Sequence, residues 1–321
     1  MNESSSESKP EELAEGVVLR STGSEYVIKL EAGSTITAIL RGKFRQEGFD
    51  STNPIAVGDR VFCSAEEGNW VIKRIGEREN YILRKSTNLK YQRQILAANV
   101  DQAVFIMTVE YPFTPLGYLD RFLVMCEAYH IPVTIVFNKI DLLKQKQKHW
   151  YKLADYRAIY EEAGYPHLAL SATDERYRPA VADLLRNRTT FLGGKSGSGK
   201  SSLVNLVDPT LQLTTKPLTR QSHKGRHTTT YAEMHLLTIG GAVIDAPGFR
   251  DFEVVGMEKE ELSHYYPEMR SRLAECRFNN CLHINEPGCA VKAAVEEGEV
   301  ALSRYNTYQS ILESIKEQKT W

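Results

Sequence analysis

In the first quarter of the chain, apolar residues fall on alternate positions in short runs separated by glycine and polar clusters. The runs Val17–Leu19, Tyr26–Leu30, Thr35–Leu40, Arg60–Cys63 and Trp70–Ile75 predict β-strands, since alternation buries one face of a pleated strand. Five strands within residues 15–76 predict a small closed barrel, OB-like or SH3-like. An OB barrel would offer a face for oligonucleotides; a barrel that only packs on its neighbour would not. Residues 77–98 are polar and basic. Arg84, Lys85, Lys90 and Arg93 occur with no acid between Arg84 and Arg93, which predicts a linker lying on a surface.

From Gln102 the pattern changes. Strand-like runs at Val104–Val109, Pro132–Phe137, His167–Leu170 and Thr189–Leu192 alternate with helical stretches at Leu116–Tyr129, Trp150–Ala163, Pro179–Asn187 and from Lys200 onward. Buried β-branched strands alternating with helices predict a parallel α/β sheet. Met234–Ile239 and Ala242–Ile244 predict a strand pair joined at Gly240-Gly241. Beyond Phe249, acidic helical sequence leads to a Cys/His cluster and then an amphipathic helix over 299–317. That helix sets Leu302, Tyr305, Tyr308, Ile311, Leu312 and Ile315 on one broad face. The domain division expected is 15–76, 77–98, 99–252 and 253–321, preceded by a disordered acidic, Ser-rich tail over 1–14.

Composition narrows the function classes. The 321 residues carry 40 Lys+Arg against 41 Asp+Glu, so no global field draws the chain to nucleic acid, and RNA binding must rest on local patches. No apolar run approaches the roughly 18 residues that span a bilayer, and the N-terminus lacks the apolar core of a secretory signal. The 5 Cys are an odd number in a fairly large chain, which argues against a disulfide framework. A soluble cytosolic protein is expected.

The strongest chemical signal is Gly194-Lys195-Ser196-Gly197-Ser198-Gly199-Lys200-Ser201, which fits GxxxxGK[ST] between a strand and a helix that continues through Ser202. Its glycines let backbone amides wrap phosphates at a helix N-terminus. Lys200 is expected to reach the β- and γ-phosphates, and Ser201 to ligate Mg²⁺. The choice of base rests on Asn138-Lys139-Ile140-Asp141 after the strand ending at Phe137. The Asp141 carboxylate can accept hydrogen bonds from guanine N1–H and its exocyclic amine, which adenine cannot supply in that arrangement. Lys139 can lie on the base, and Asn138 can brace the phosphate loop. Ser171-Ala172 suits an accessory guanine loop. Asp245-Ala246-Pro247-Gly248 fits DxxG, with Asp245 holding Mg²⁺ through water and the Gly248 amide sensing the γ-phosphate.

Between the two phosphate motifs lies a polar stretch, Lys216 to Thr230, ending Gly225-Arg226-His227-Thr228-Thr229-Thr230. One of these threonines is expected to complete the Mg²⁺ shell, with Thr229 favoured. Phe249 stands where a glutamine often orients the attacking water, so His227 becomes the candidate for that task and slow, partner-stimulated hydrolysis is expected. The base loop precedes the phosphate loop, as in a GTPase cut and rejoined at its ends. Cys276-x4-Cys281-x-His283-x5-Cys289 offers three thiolates and an imidazole, a tetrahedral Zn²⁺ set with no open position. Cys63 and Cys126 sit in apolar contexts and read as core.

The order NKID, SA, GGKSGSGKS, GRHTTT, DAPGF and C-x4-C-x-H-x5-C resembles the ribosome small subunit-dependent GTPase A (RsgA) family over residues 15–318. Lys195 and Ser198 differ from the commoner residues of that family's phosphate loop, as does Ala246 in DAPG. The resemblance implies an α/β P-loop GTPase domain, circularly permuted, with an N-terminal OB-like barrel and a C-terminal helical zinc-binding domain. It implies GTP as substrate with Mg²⁺, one structural Zn²⁺, and action in the cytoplasm on the 30S ribosomal subunit and its 16S rRNA. A monomer with no membrane partner is expected. A P-loop ATPase or small-molecule kinase, and a GTP-gated binder of another structured RNA with little turnover, are the competing readings.

Overall fold

The computed structural model describes residues 13–40, 54–85, 93–214, 232–245 and 257–315. The five N-terminal strands are β1 (Ala14–Ser21), β2 (Glu25–Leu30), β3 (Thr35–Leu40), β4 (Arg60–Glu66) and β5 (Asn69–Ile75). β1 pairs with β2 and with β4, β2 with β3, and β5 with both β4 and, in parallel, β3. The ring closes into an OB-like barrel around Val18, Tyr26, Ile28, Val61, Cys63 and Ile72.

The described residues of the stretch 77–98, namely 77–85 and 93–98, do not form the surface linker expected of them. β6 (Tyr81–Lys85) and β7 (Arg93–Ala98) pair antiparallel. The run of basic residues concealed a second pattern, because Ile82, Ile95, Leu96 and Ala97 are buried. This strand pair is tied back to the barrel. Arg78 grips the buried Asp59 carboxylate at 2.6 and 2.7 Å, and the Ala98 amide donates to Val57 O at 2.9 Å.

The α/β portion is built on β8 (Gln102–Met107), β9 (Val133–Phe137), β10 (His167–Ala169), β11 (Thr189–Gly193), β12 (Glu233–Leu236) and β13 (Ala242–Asp245). The strand order is β10-β9-β8-β11-β13-β12, parallel except for β12. Alternate side chains of β8 feed opposite layers. Phe105 and Met107 pack with α1 (Leu116–Ala128) and α2 (Gln147–Glu162). Val104 and Ile106 pack with α3 (Arg178–Leu185) and α4 (Lys200–Val207). β12 ends at Leu236, short of the expected Ile239. The turn to β13 needs Gly240 at φ 85° and Gly241 at φ 84°, a left-handed backbone that costs glycine little. β12 also pairs with β1 at Glu233 and Arg20, so barrel and α/β sheet are continuous.

The C-terminal part contains α5 (Pro267–Arg270), α6 (Ala290–Glu296) and α7 (Leu302–Ser314). α7 packs on α1 through a core that includes Val124, Tyr266, Met269, Tyr308 and Ile311. The expected apolar face of α7 is corrected at one end: Leu302 is 61% exposed, whereas Arg304, two residues on, is 1% exposed. Among the described residues no helix is long and apolar enough to cross a membrane.

Candidate functional site

The phosphate loop runs from β11 into α4. Gly194, Gly197 and Gly199 have φ of 134°, 81° and 103°. A Cβ at Gly199 would collide with Asn138 Nδ2, and one at Gly194 with Ile106 O, so the loop is pressed against the β8 and β9 strand ends. β11 lies between β8 and β13 and pairs Leu192 with Asp245, which sets the phosphate loop beside the DxxG strand.

Asn138 is buried at the centre of three loops. Its Nδ2 donates to Ser198 O at 2.8 Å, while its Oδ1 accepts from the Ala172 amide at 2.9 Å and the Lys139 amide at 2.7 Å. Base loop, accessory loop and phosphate loop thus share one side chain. Lys139 has φ 62° and extends Nζ to Gly197 O at 2.5 Å and Tyr111 O at 3.0 Å. The Ile140 amide donates to Leu170 O at 3.3 Å, Asp141 is exposed, and Ser171 is buried with its Oγ 3.0 Å from Thr173 Oγ1. Lys195 and Ser196 are exposed, whereas Ser201 and Ser202 lie half-buried on the first turn of α4.

Burial governs the electrostatics of the site. Lys200 Nζ has a hydrogen bond to Gly194 O at 3.1 Å. Burial lowers its pKa, and the Asp245 charge opposes that shift. Burial raises the Asp245 pKa, opposed by Lys200 and His235. Asp245 Oδ1 and the buried Ser198 Oγ have no hydrogen-bond partner among the described residues. Buried polar groups are rarely left so, and a phosphate with its metal would supply what is missing. His227, Thr229, Gly248 and Phe249 lie outside the described residues, as does the Lys216–Thr230 stretch.

The second constellation joins Cys276, Cys281, His283 and Cys289, whose ligand atoms all lie within 4.8 Å of one another. His283 Nδ1 is 3.3 Å from Cys289 Sγ and 3.7 Å from Cys276 Sγ. A tetrahedral site with ordinary Zn–S and Zn–N bonds needs N···S edges of about 3.6 Å, so the donor set fits zinc. His283 adopts φ 59°, and burial lowers its pKa towards the neutral imidazole that binds metal. The loop is held from outside. Tyr305 and Tyr308 hydroxyls donate to His283 O and Leu282 O at 2.6 and 2.8 Å. The Glu286 carboxylate accepts from the amides of Leu282, Ile284 and Asn285. Glu286 and the carbonyls of Tyr111 and Phe113 are site components that sequence reasoning missed, because a backbone carbonyl has no signature and a lone Glu no distinguishing one. All five cysteines are free thiols, and Cys63 and Cys126 are fully buried core.

Fold and site define a circularly permuted P-loop GTPase with an appended Cys3His cluster. The family model for the RsgA GTPase matches residues 75–255. The chain is 45% identical over 304 residues to the small ribosomal subunit biogenesis GTPase RsgA of Christiangramia forsetii, covering 93% of this chain and 96% of that protein. To the protein of the same name from Bacteroides fragilis it is 43% identical, covering 95% and 98%. The crystal structure of YjeQ from Thermotoga maritima superposes with a TM-score of 0.75 at 33% identity, covering 96% of this chain and 100% of that one. YloQ, described as a circularly permuted GTPase, gives 0.71 at 30% identity with 100% coverage of both. This chain belongs to the RsgA GTPase family.

Proposed function

We propose that this chain hydrolyses GTP to GDP and phosphate as a timed switch in late maturation of the small ribosomal subunit. The nucleotide half rests above all on Asn138, which ties the base loop to the phosphate loop through Ser198 O and to the accessory loop through the Ala172 amide. That brace joins the loop carrying Asp141 to the loop that leads into Lys200, so guanine recognition and phosphate binding would act on one ligand. In this reading Asp141 accepts from the guanine edge, Lys139 covers the base, and amides of 194–201 cradle the phosphates. Lys200 balances charge that builds on the β- and γ-oxygens. Ser201, Thr229 and Asp245 would hold Mg²⁺, which when bound neutralises phosphate charge. His227 is the candidate to orient water, and Gly248 to sense the γ-phosphate. Cys276, Cys281, His283 and Cys289 would hold one structural Zn²⁺.

The ribosomal half rests on relatives whose name is small ribosomal subunit biogenesis GTPase and which match along nearly their full length. Ribosomal RNA is the partner proposed, with the protein a cytoplasmic monomer. Purified protein should turn GTP over slowly, with ATP inert, and small subunits should raise the rate by at least about tenfold, modest beside known GTPase activation. Turnover indifferent to small subunits would overturn the ribosomal half and leave the guanine site standing.

A further inference from the structure

Four of the five exposed aromatic side chains among the described residues are Tyr111, Phe113, Trp150 and Tyr151, which belong to the turn after β8 and the start of α2. The two elements touch. The Tyr111 ring lies 6.4 Å from that of His149, and Lys152 Nζ stands 4.2 Å over the Phe113 ring. Lys148, Tyr151 and Lys152 are spaced i, i+3, i+4 and share one helix face, continuous with the turn. Tyr151 is 62% exposed, Phe113 44% and Tyr111 45%, values at odds with burial in a core.

The charge around these rings is one-sided. Residues 144–152 read Lys-Gln-Lys-Gln-Lys-His-Trp-Tyr-Lys, with no acid, in a chain of net charge -1. Lys146 and Lys148 are exposed and form no ion pair among the described residues. Among the described residues, four acids border the patch, one of them the exposed Asp141 three residues before Lys144. Glu110 lies 3.5 Å from Lys152, Asp174 is near enough to feel Lys144, and Asp155 follows one turn further along the helix. Two cationic positions therefore remain unbalanced beside flat, accessible rings. Phosphates in register with bases offered for stacking are what such a surface complements, since every base has a π-face and every nucleotide a charge.

We propose that the turn carrying Tyr111 and Phe113, with Lys148, Tyr151 and Lys152 of α2, is a binding platform for an unpaired RNA segment. The turn is held in shape from within: Thr108 Oγ1 donates to Pro112 O at 2.5 Å, and the Thr114 amide donates to Thr108 O at 3.2 Å. It also abuts the nucleotide loops. Tyr111 O accepts from Lys139 Nζ and Phe113 O from Lys195 Nζ, each at 3.0 Å. RNA seated here rests on the same turn that holds both lysines. The inference deepens the ribosomal reading by naming a contact surface, yet its test needs neither subunits nor turnover, so the two can fail separately.

The test uses the full chain and a labelled, unstructured 12-nucleotide RNA carrying 5-iodouridine. Wild-type protein should cross-link on irradiation at Tyr111, Phe113 or Tyr151. Lys146→Glu with Lys148→Glu should weaken binding by roughly tenfold or more and flatten its salt dependence by about two ions. Tyr151→Ala should weaken it by roughly fivefold or more at unchanged salt slope. Unchanged GDP binding and melting temperature would confirm that these variants fold. Cross-links confined to other surfaces, wild-type affinity in both variants, or loss of binding by the charge variant without any cross-link to these rings would each overturn the platform. So would a patch that retains anionic vesicles but not RNA.

Discussion

Two buried polar clusters, one between α1 and α7 and one in the nucleotide loops, differ in what they lack. In the junction with α7, Arg304 donates to Asp120 at 2.6 Å and to Glu268 at 2.7 and 3.2 Å. Tyr160 donates to Asp120 Oδ1 at 2.8 Å, and Thr307 donates to Asp120 Oδ2. Each of the three charged groups there has a partner. Burial works against the Arg304 charge, but Asp120 and Glu268 more than compensate and raise its pKa. In the nucleotide loops burial wins instead: it lowers the pKa of Lys200 and raises that of Asp245, whose Oδ1 has no partner among the described residues. A cluster whose charges are all paired holds two layers together. One that is incomplete is shaped for something that arrives. The Cys3His cluster is of the second kind, since three thiols and an imidazole within 4.8 Å gain little from one another without a metal.

The contrast is tested most forcefully at the Cys3His cluster. Stripping metal with a strong chelator should unfold the layer around α6 and α7, because structural zinc contributes on the order of 10 kcal/mol to small metal domains. Hydrogen exchange should show protection lost over 257–315 and kept in β8–β11. Lys200→Ala should lower GTP turnover by roughly a thousandfold, about 4 kcal/mol of transition-state stabilisation, while thermal melting stays near wild type. Arg304→Ala should reverse those two readouts. It strands Asp120 and Glu268 and should cost about 3–5 kcal/mol in chemical denaturation, with GTP affinity little changed below the transition.

The smallest effect is the most discriminating. Asp245→Asn should stabilise the nucleotide-free protein by about 0.5–2 kcal/mol while weakening Mg²⁺–GTP binding, the trade expected of a strained functional group. The pH dependence has a definite sign. A carboxyl whose folded pKa is raised holds its proton longer in the folded state, so stability falls as pH rises from the ordinary Asp value to the raised one. The amide of the Asp245→Asn variant cannot titrate, and that part of the slope should vanish. A wild-type slope in the variant would show that Asp245 is not desolvated.

Much of the fold was legible because its patterns are local. Strand alternation located every barrel strand to within a few residues, and the punctuation of Gly240-Gly241 located the β12–β13 turn. The pairing of β6 with β7 was missed because a basic stretch outweighed four buried apolar positions, Ile82, Ile95, Leu96 and Ala97. Burial belongs to the partner surface as much as to the residue, and nothing local records it. Arg304 was missed for the same reason: a charge reads as solvated until its two acids, 36 and 184 residues away along the chain, are folded onto it.

The chain's sequence by itself determined most element types, the permuted order of nucleotide motifs and the Cys3His grouping, since each is fixed by residue identity at short spacing. Tertiary structure alone decided that Asn138 joins three loops across 60 and 34 residues of sequence. It alone decided that Lys200 and Asp245 would be desolvated together and that Tyr111 and Phe113 would stand beside the nucleotide site. Hydrogen bonds and dielectric environment depend on distance in space, and the chain states only distance along itself.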